Sequence, residues 1–368
     1  MEKEMITGEA FHGSDIEKIE EVYGIPKEDI VSFSANVSPM GVSERYLQGI
    51  TSKLDCVERY PDREYRALKK AISFYCGAKS ENIIVGGGST ELIGAAIKQM
   101  ESPRVIIVTP AYSEYERNVK QRGGTVEHFF LKEEDGFAPD ISEICEALNE
   151  SHDILIICNP VNPTSTAFTR DGMEAVLKRC EKCGIVCIVD ETYIDFADER
   201  FDITPLTDRF GCLFVIRSMS KFFCAPGLRL GYGITQGAEL KERIEESKDP
   251  WSVSSLSNEA ALLMLSDTDH IGRTRAYIKE ERQRIMSLLD DMEPLGIRYY
   301  RPEANFVLVR LPKGGPTSGE LFERAVKEGM MIRDCADFPG LDDRYIRFCF
   351  MKKDDDDRLM SLFRKVYS

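Results

Sequence analysis

The chain of 368 residues is longer than one typical domain, and this length favours two domains with a cleft between them. Apolar residues make up 42% of the chain and charged residues 30%, values typical of a globular protein rather than a disordered or membrane one. The formal net charge of −15 disfavours nucleic acid and anionic membrane surfaces as partners, so a small anionic ligand would need a local basic pocket.

Targeting and redox signals predict a cytoplasmic protein. No apolar run approaches the roughly 20 residues that span a bilayer, and the acidic start MEKEMITGEA does not resemble a signal peptide. The 11 cysteines are an odd number and are scattered through apparent strands and helices, which favours reduced thiols over a disulfide framework.

A glycine-rich loop occurs early in the chain between an apparent strand and a helix. The apolar run at 83–85 leads into Gly86-Gly87-Gly88-Ser89-Thr90, an arrangement in which backbone amides and a helix N-terminus can hold a phosphate. A glycine run alone is more often an ordinary turn, so this motif gains weight only in combination with others.

The middle of the chain alternates apolar, β-branched runs with amphipathic stretches, the pattern of βα units in a parallel sheet. The runs are nearly continuous, as expected of strands buried on both faces. They are RVIIVT (104–109), DILIIC (153–158), GIVCIVD (184–190) and CLFVIR (212–217). Between the second and third runs, helical spacing extends from Arg170 to Cys183, and Gly184 provides the C-terminal cap.

The CEKC motif at the end of that helix has two interpretations. Cys180 and Cys183, with Cys187 beyond them, could form a metal or redox site, or they could simply belong to a helix end that leads into a strand. Because no second ligand pair with a suitable spacing is found, we favour the helix end and predict no metal site.

The last third of the chain predicts a second, smaller domain. A long amphipathic helix over 269–292 places apolar residues on one face: Ile271, Ile278, Ile285, Leu289 and Met292. After Leu295 the pattern changes to strand, helix, strand, strand, helix. We therefore divide the chain into an N-terminal segment (1–45) that joins the small domain, a large domain (46–270), and an interdomain helix with a small α+β domain (271–368).

Polar residues follow three of the predicted parallel strands, at the sheet edge where such folds bind ligands. Asn162 follows the second strand, Asp190 ends the third and Lys221 follows the fourth. With the glycine loop they supply a phosphate site, a hydrogen-bonding amide, a carboxylate and an amine. Pyridoxal phosphate requires this set: a lysine forms an imine with its aldehyde, and a carboxylate keeps its pyridine nitrogen protonated.

The motifs also resemble a known family. The segment SMSKFFCAPGLRLG is similar to the Ser-x-Ser-Lys-x5-Gly-Leu-Arg-x-Gly signature of aminotransferase class I/II proteins, and the glycine loop, NPVNPT and DETY occur in that family's order. The resemblance covers nearly the whole chain. It implies the α/β architecture of fold type I pyridoxal-phosphate enzymes, with a mainly parallel seven-stranded sheet, a small α+β domain, and a homodimer whose active sites lie at the interface.

The resemblance implies roles for individual residues. Lys221 would carry the cofactor as a Schiff base and shuttle protons, Asp190 would face the pyridine nitrogen, and Asn162 and Tyr193 would hold the ring hydroxyl. Tyr112 would stack on the ring. The phosphate would be held by a further set, which comprises Ser89, Thr90, Ser218, Ser220, Arg229 and, from the partner subunit, Tyr60.

These residues could also be purely structural. Lys221 could be a surface lysine, Arg229 could belong to a salt bridge, and Tyr112 and Tyr60 could be core aromatics. The combined motif outweighs these alternatives most clearly at Lys221, Asp190 and Arg229. One departure from the family is Ser165, where glycine usually follows Asn-Pro-Thr, and this puts the local turn in question rather than the cofactor.

The RYPD segment and two C-terminal arginines narrow the resemblance to the branch of threonine-phosphate decarboxylase and histidinol-phosphate aminotransferase, which act on small phosphorylated amines. In this branch Arg333 and Arg347 would bind substrate phosphate or carboxylate, although either could be part of an ion pair. FHGSD, FSANVSPMG and IRDCADFPGL favour the decarboxylase and imply His12 and Asn36 as substrate contacts. Ser14, Asp15 and Ser38 depart from its pattern.

Two reactions therefore stay open at this point. We expect decarboxylation of O-phospho-L-threonine, a step that would feed cobalamin side-chain synthesis, with transamination of the histidinol-phosphate kind as the alternative. The two differ in which bond at the α-carbon is held perpendicular to the ring, a matter of about 1 Å in the placement of anion-binding residues. A third possibility is a transcription regulator that uses this fold to bind effectors. It is disfavoured because the sequence shows no basic helix-turn-helix pattern, which such a regulator would need to bind DNA.

Overall fold

The computed structural model describes residue 13 and residues 15–368. The predicted substrate contact His12 therefore lies outside the described residues. Within them no helix is both long and apolar enough to cross a membrane.

In the described part of the chain, thirteen strands form two main sheets and one short pair. In chain order they are β1 (Val31–Ser32), β2 (Ile83–Gly86), β3 (Arg104–Thr109), β4 (Thr125–Phe130), β5 (Ile154–Cys158), β6 (Val186–Asp190), β7 (Leu213–Ser218), β8 (Gly231–Ile234), β9 (Arg298–Tyr299), β10 (Phe306–Arg310), β11 (Met330–Met331), β12 (Arg333–Asp334) and β13 (Tyr345–Cys349). The four predicted central strands are β3, β5, β6 and β7, which begin within two residues of their predicted starts.

Helices alternate with the strands along most of the chain. In chain order they are α1 (Ile16–Tyr23), α2 (Glu44–Ile50), α3 (Arg66–Cys76), α4 (Ser89–Ile97), α5 (Ser113–Gln121), α6 (Ile141–Ala147), α7 (Arg170–Cys183), α8 (Ala238–Ser247), α9 (Ser255–Leu265), α10 (Thr268–Asp290), α11 (Ser318–Lys327) and α12 (Lys353–Tyr367).

The large sheet has seven strands in the order β2-β8-β7-β6-β5-β3-β4, and only β8 runs antiparallel to its neighbours. Every residue of β5 and β7 is buried, as their continuous apolar sequences require. The parallel strands β5, β6 and β7 end at one edge of the sheet, so the residues that follow them meet there. The predicted, mainly parallel seven-stranded sheet is confirmed.

The boundaries of α7 follow from its capping residues. The Thr169 hydroxyl accepts a hydrogen bond from the Gly172 amide at 3.2 Å, and Gly184 ends the helix in the left-handed conformation. The CEKC motif is thus the last turn of a helix, as expected, and Cys180 is fully buried in the core.

The second main sheet is antiparallel, in the order β12-β13-β10-β9. Its register pairs Arg333 on β12 directly with Arg347 on β13. The short strand β1 pairs in parallel with β11, which ties the N-terminal segment to this part of the chain. The long helix α10 buries Ile271, Ile278, Ile285 and Leu289 of the predicted face, and it ends at Asp290, before Met292. The division of the chain at residues 45 and 270 stays a prediction.

Candidate active site

A cavity of about 330 Å³ lies where the carboxyl ends of β5, β6 and β7, the start of α4 and the small sheet meet. Twelve of the residues predicted for the site line it: Ser89, Thr90, Tyr112, Asn162, Asp190, Tyr193, Ser218, Ser220, Lys221, Arg229, Arg333 and Arg347. Residues that are far apart in the chain thus meet in one cavity, and its electrostatics depend on how each is held.

Asp190 lies at the end of β6 and is buried. Its Oδ1 accepts hydrogen bonds from the amide and hydroxyl of Thr192, at 3.0 and 2.6 Å, and its Oδ2 accepts one from the Tyr115 hydroxyl at 2.7 Å. Burial raises the pKa of the Asp190 carboxyl, whereas these hydrogen bonds and the charge of Lys221 oppose the rise. The result is an oriented carboxylate at the base of the cavity.

Tyr115 and Thr192 were not predicted from the sequence as site residues. Tyr115 lies in the first turn of α5, three residues after Tyr112, which caps the start of that helix. This spacing was a usable signal, because Tyr112 was already predicted to line the site. Thr192 lies inside the DETY motif, so its proximity to Asp190 could also have been inferred.

Lys221 is the lysine predicted to carry the cofactor, and its amine lies in the cavity. Its Nζ donates a hydrogen bond to the Ala35 carbonyl at 2.6 Å. Burial lowers the pKa of Lys221 to about 8, and the guanidinium groups of Arg347 and Arg229 act in the same direction. A larger fraction of the amine is therefore neutral, and nucleophilic, than in an exposed lysine.

The glycine-rich loop leads into α4, and Gly88 adopts φ 103° immediately before that helix. A Cβ at Gly88 would lie 2.6 Å from Nη2 of Arg229, and a Cβ at Gly231 would lie 2.8 Å from the Ser89 amide nitrogen. Both positions therefore need glycine for the loop, the arginine and β8 to meet. The amides at the start of α4 and the Arg229 guanidinium together form a site suited to a phosphate.

Ser218 and Ser220 lie on the other side of this phosphate site. The Ser218 hydroxyl accepts a hydrogen bond from the Ser220 amide at 3.1 Å and donates one to the Ser220 hydroxyl at 3.0 Å. Both side chains are buried and line the cavity. This arrangement leaves the Ser220 hydroxyl hydrogen available for an acceptor such as a phosphate oxygen.

Aromatic side chains flank the centre of the cavity. Tyr112 is half-buried, and its ring packs edge-on against Tyr115 with 5.7 Å between centroids. Tyr193 is buried, which raises the pKa of its hydroxyl, and its ring packs against Phe306. Asn162 lies between these aromatics and the small sheet, where its Oδ1 accepts a hydrogen bond from Arg347. The roles that the family resemblance implied for these residues stay predictions.

Arg347 and Arg333 reach the cavity from adjacent strands of the small sheet. Arg347 is buried, donates to the Ser34 carbonyl at 2.7 Å, and has its pKa lowered by burial. Arg333 forms a two-contact ion pair with Asp337, at 2.6 and 2.8 Å, and its guanidinium lies over the Phe338 ring. Two cationic side chains thus face one end of the cavity.

Two other predicted residues are not among those that line the cavity. Asn36 is buried behind Tyr193, toward whose hydroxyl its Nδ2 points at 3.5 Å, and its carbonyl accepts a hydrogen bond from Asn305. Tyr60 is 82% exposed and packs against Trp251, with 5.1 Å between ring centroids. A role for Tyr60 in the partner subunit's site stays a prediction.

Ser165 adopts the positive φ of 63° that the usual glycine would take without strain. Its hydroxyl accepts a hydrogen bond from the Ala304 amide at 2.9 Å, and its carbonyl accepts one from the Glu303 amide at 2.8 Å. The serine thus keeps the turn and bonds it to the segment before β10.

The cavity residues fit pyridoxal phosphate. An amine of lowered pKa can meet the aldehyde, and the oriented carboxylate of Asp190 can meet the pyridine nitrogen. The glycine cradle at residues 88 and 231, together with Arg229, matches the phosphate.

Comparisons with known proteins agree with this geometry. The family model for aminotransferase class I and II matches residues 28–363. Threonine-phosphate decarboxylase of Salmonella typhimurium is 32% identical over 355 residues, which cover 96% of each chain. Histidinol-phosphate aminotransferase 2 of Archaeoglobus fulgidus is 32% identical over 343 residues, covering 93% of this chain and 94% of the relative.

A solved structure is similar over most of its length. The crystal structure of histidinol-phosphate aminotransferase from Clostridium acetobutylicum has a TM-score of 0.85 and 33% identity, covering 91% of this chain and 98% of that one. The predictions of fold class, enzymatic function and cofactor are confirmed. The chain belongs to the aminotransferase class I and II family of pyridoxal-phosphate-dependent enzymes.

Proposed function

We propose that this enzyme uses pyridoxal phosphate to decarboxylate O-phospho-L-threonine, a step that would feed cobalamin side-chain synthesis. The observation that carries the proposal is the pair Arg333 and Arg347, which lie on adjacent strands and face the same cavity as Lys221. Two cationic groups at one end of the cavity complement a substrate that has two anionic groups.

The residues of the cavity divide the work. When bound, pyridoxal phosphate supplies an electron sink for the electron pair left on the substrate's α-carbon. Asp190 would keep the pyridine nitrogen protonated, and Tyr115 and Thr192 hold that carboxylate in place. Lys221 Nζ would hold the cofactor covalently until the substrate amine takes its place, and the freed ammonium group would then deliver a proton to the α-carbon once CO2 has left.

The charge of O-phospho-L-threonine complements the cavity, because its carboxylate and phosphate match Arg347 and Arg333 at the same time. In the transaminase, histidinol phosphate would engage one arginine through its phosphate, and the two carboxylates of 2-oxoglutarate would engage both in the second half-reaction. A carboxylate held by Arg347 would also determine which α-carbon bond stands perpendicular to the ring, and that bond is the one that breaks.

The alternative function is transamination of the histidinol-phosphate kind. It is supported by the structural similarity to the Clostridium acetobutylicum enzyme at 33% identity. In that reaction Lys221 Nζ would move a proton from the α-carbon to the cofactor, and the same side chains would line the cavity.

We further propose a homodimer in which Tyr60 completes the phosphate site of the partner subunit. Its 82% exposure on the surface of one chain supports this role. Mixing inactive Lys221→Ala and Tyr60→Phe chains should restore about a quarter of the sites if each site uses Lys221 from one chain and Tyr60 from the other. Sites built within one chain would be restored no more than in either parent.

The test is incubation of the cofactor-loaded protein with O-phospho-L-threonine, with CO2 release followed in the absence of any keto acid. Histidinol phosphate with 2-oxoglutarate is assayed in parallel. CO2 release that needs no keto acid supports the decarboxylase. Turnover only of histidinol phosphate, and only with 2-oxoglutarate, would replace it with the transaminase.

A further inference from the structure

The two arginines of the cavity differ in their counter-charges. Arg347 donates to the amide oxygen of Asn162 and to the Ser34 carbonyl, and no carboxylate in the described part of the chain lies within ion-pair distance of it. Arg333, in contrast, makes a two-contact ion pair with Asp337 at 2.6 and 2.8 Å. One arginine therefore presents an uncompensated charge, and the other is paired with an internal carboxylate.

Asp337 itself lines the cavity, and the proposed mechanism gives it no role. Its side chain is 43% exposed, whereas that of Arg333 is 11% exposed. The carboxylate can therefore rotate toward solvent, while the guanidinium is held by its surroundings and by the Phe338 ring. An anionic ligand group that binds Arg333 must therefore displace the Asp337 carboxylate. If it does not, the negative charge of Asp337 repels it and weakens its binding.

We propose that Asp337 is an internal counter-ion of Arg333 that the second anionic group of a substrate must displace, which makes it a determinant of specificity. The inference rests on the proposed function for the assignment of Arg333 to the substrate phosphate. An amino acid with a carboxylate alone binds at Arg347 and leaves the Asp337 pair intact. A phosphorylated amino acid breaks the pair and loses part of the attraction of its phosphate.

This role changes binding and not the chemical step. The ion pair is broken when the substrate binds and stays broken in the transition state, so its removal should lower KM and leave kcat nearly unchanged. A residue that oriented Arg333 for the reaction would have the opposite signature, because its loss would weaken binding or lower kcat.

The experiment titrates cofactor-loaded Asp337→Asn protein with O-phospho-L-threonine and, separately, with L-threonine at constant ionic strength. The absorption band of the bound cofactor reports Kd. We expect Asp337→Asn to bind O-phospho-L-threonine about fivefold more tightly than the unmodified protein, the effect of losing a partly exposed ion pair. Binding of L-threonine should change less than about twofold, since that ligand leaves Arg333 unengaged.

The matched control is Asp334→Asn, three residues away on β12. The Asp334 carboxylate accepts the Ala336 amide at 2.9 Å, a hydrogen bond that asparagine can also accept, and Asp334 is not among the residues that line the cavity. Its Kd values should equal those of the unmodified protein. In an Arg333→Gln background the Asp337→Asn change should have no effect, because the counter-ion acts through Arg333.

The proposed role of Asp337 would be contradicted if Asp337→Asn bound O-phospho-L-threonine no more tightly than the unmodified protein. It would also be contradicted if the affinity for both ligands rose equally. These results are separable from the proposed function. If the unmodified protein turns over O-phospho-L-threonine but Asp337→Asn shows no tighter binding, the proposed role of Asp337 is wrong and the proposed function is supported. If Asp337→Asn binds the phosphorylated ligand about fivefold more tightly yet neither protein turns it over, the proposed function is wrong and the role of Asp337 is supported.

Discussion

The cavity has two halves that are built in different ways. In the cofactor half, Asp190 and Lys221 follow neighbouring parallel strands, and the glycine loop precedes α4, so each group belongs to a contiguous motif. In the substrate half, Arg333 and Arg347 come from an antiparallel sheet and are joined by Asp337 from a loop. The groups proposed to hold the cofactor therefore lie in local segments, whereas the groups proposed to select the substrate are brought together by the packing of distant segments.

This comparison predicts which measurement each variant changes. Variants of the cofactor half should alter the protein before any substrate is added. Variants of the substrate half should leave the extent of cofactor binding intact and alter the response to substrate. Arg347 also helps to lower the pKa of Lys221, so its loss should change the pH dependence of the loading rate as well.

The largest effect is expected for Lys221→Ala. Loss of the only amine proposed to hold the cofactor should abolish its covalent attachment, measured as cofactor retained after borohydride reduction and denaturation. Lys98→Ala, at an exposed lysine just after α4, should retain full attachment. Covalent label persisting in Lys221→Ala would contradict the assignment of the lysine.

Asp190→Ala should have the next largest effect. Without a carboxylate at the base of the cavity, the pyridine nitrogen loses its proton and the electron sink weakens, so kcat should fall about 10²- to 10³-fold. The cofactor's absorption spectrum should change before substrate is added. Asp198→Asn, an exposed carboxylate on a nearby loop, serves as the control and should leave both spectrum and kcat unchanged.

Arg347→Gln should act in the substrate half. Removal of a buried cation from a carboxylate partner costs about 2–3 kcal/mol, so KM should rise about 30- to 150-fold. The spectrum of the bound cofactor at low pH should hardly change. An equal loss of cofactor binding would place Arg347 in the cofactor half and contradict the division of the cavity into two halves.

The pH dependence of cofactor loading should reflect Lys221, whose pKa is lowered to about 8. The neutral amine is the nucleophile, so the loading rate should fall about tenfold per pH unit below 8 and reach a plateau above it. Arg347→Gln should move the midpoint to higher pH, because that guanidinium helps to lower the Lys221 pKa. A midpoint near the ordinary lysine value would contradict the burial of the amine.

The smallest effect is expected for Tyr115→Phe, which removes one of the hydrogen bonds to Asp190. Losing a hydrogen bond to a charged group costs about 1.5–3 kcal/mol at most, and the two bonds from Thr192 remain. We expect about a 3- to 10-fold lower kcat with unchanged KM. Tyr299→Phe removes a comparable bond to Asp290 outside the cavity and should leave kcat unchanged.

Much of the fold was predictable because its signals are local. Buried parallel strands need continuous apolar runs, and β3 matched its predicted range to the residue. The end of α7 was predictable because Gly184 is the residue type that tolerates a left-handed cap. Ser165 shows the limit of such signals, since its turn is kept by a hydrogen bond to the distant Ala304.

The cofactor half could be predicted from the sequence, because Lys221, Asp190 and the glycine loop each lie in a short segment of their own at the end of a strand or the start of a helix. Three contacts are apparent in the folded chain alone: the hydrogen bond from Tyr115 to Asp190, the position of Asn36 behind Tyr193, and the ion pair of Asp337 with Arg333. The physical reason is that strand and helix signals extend over a few residues. Charge pairing and packing across the small sheet depend on register between segments far apart in the chain.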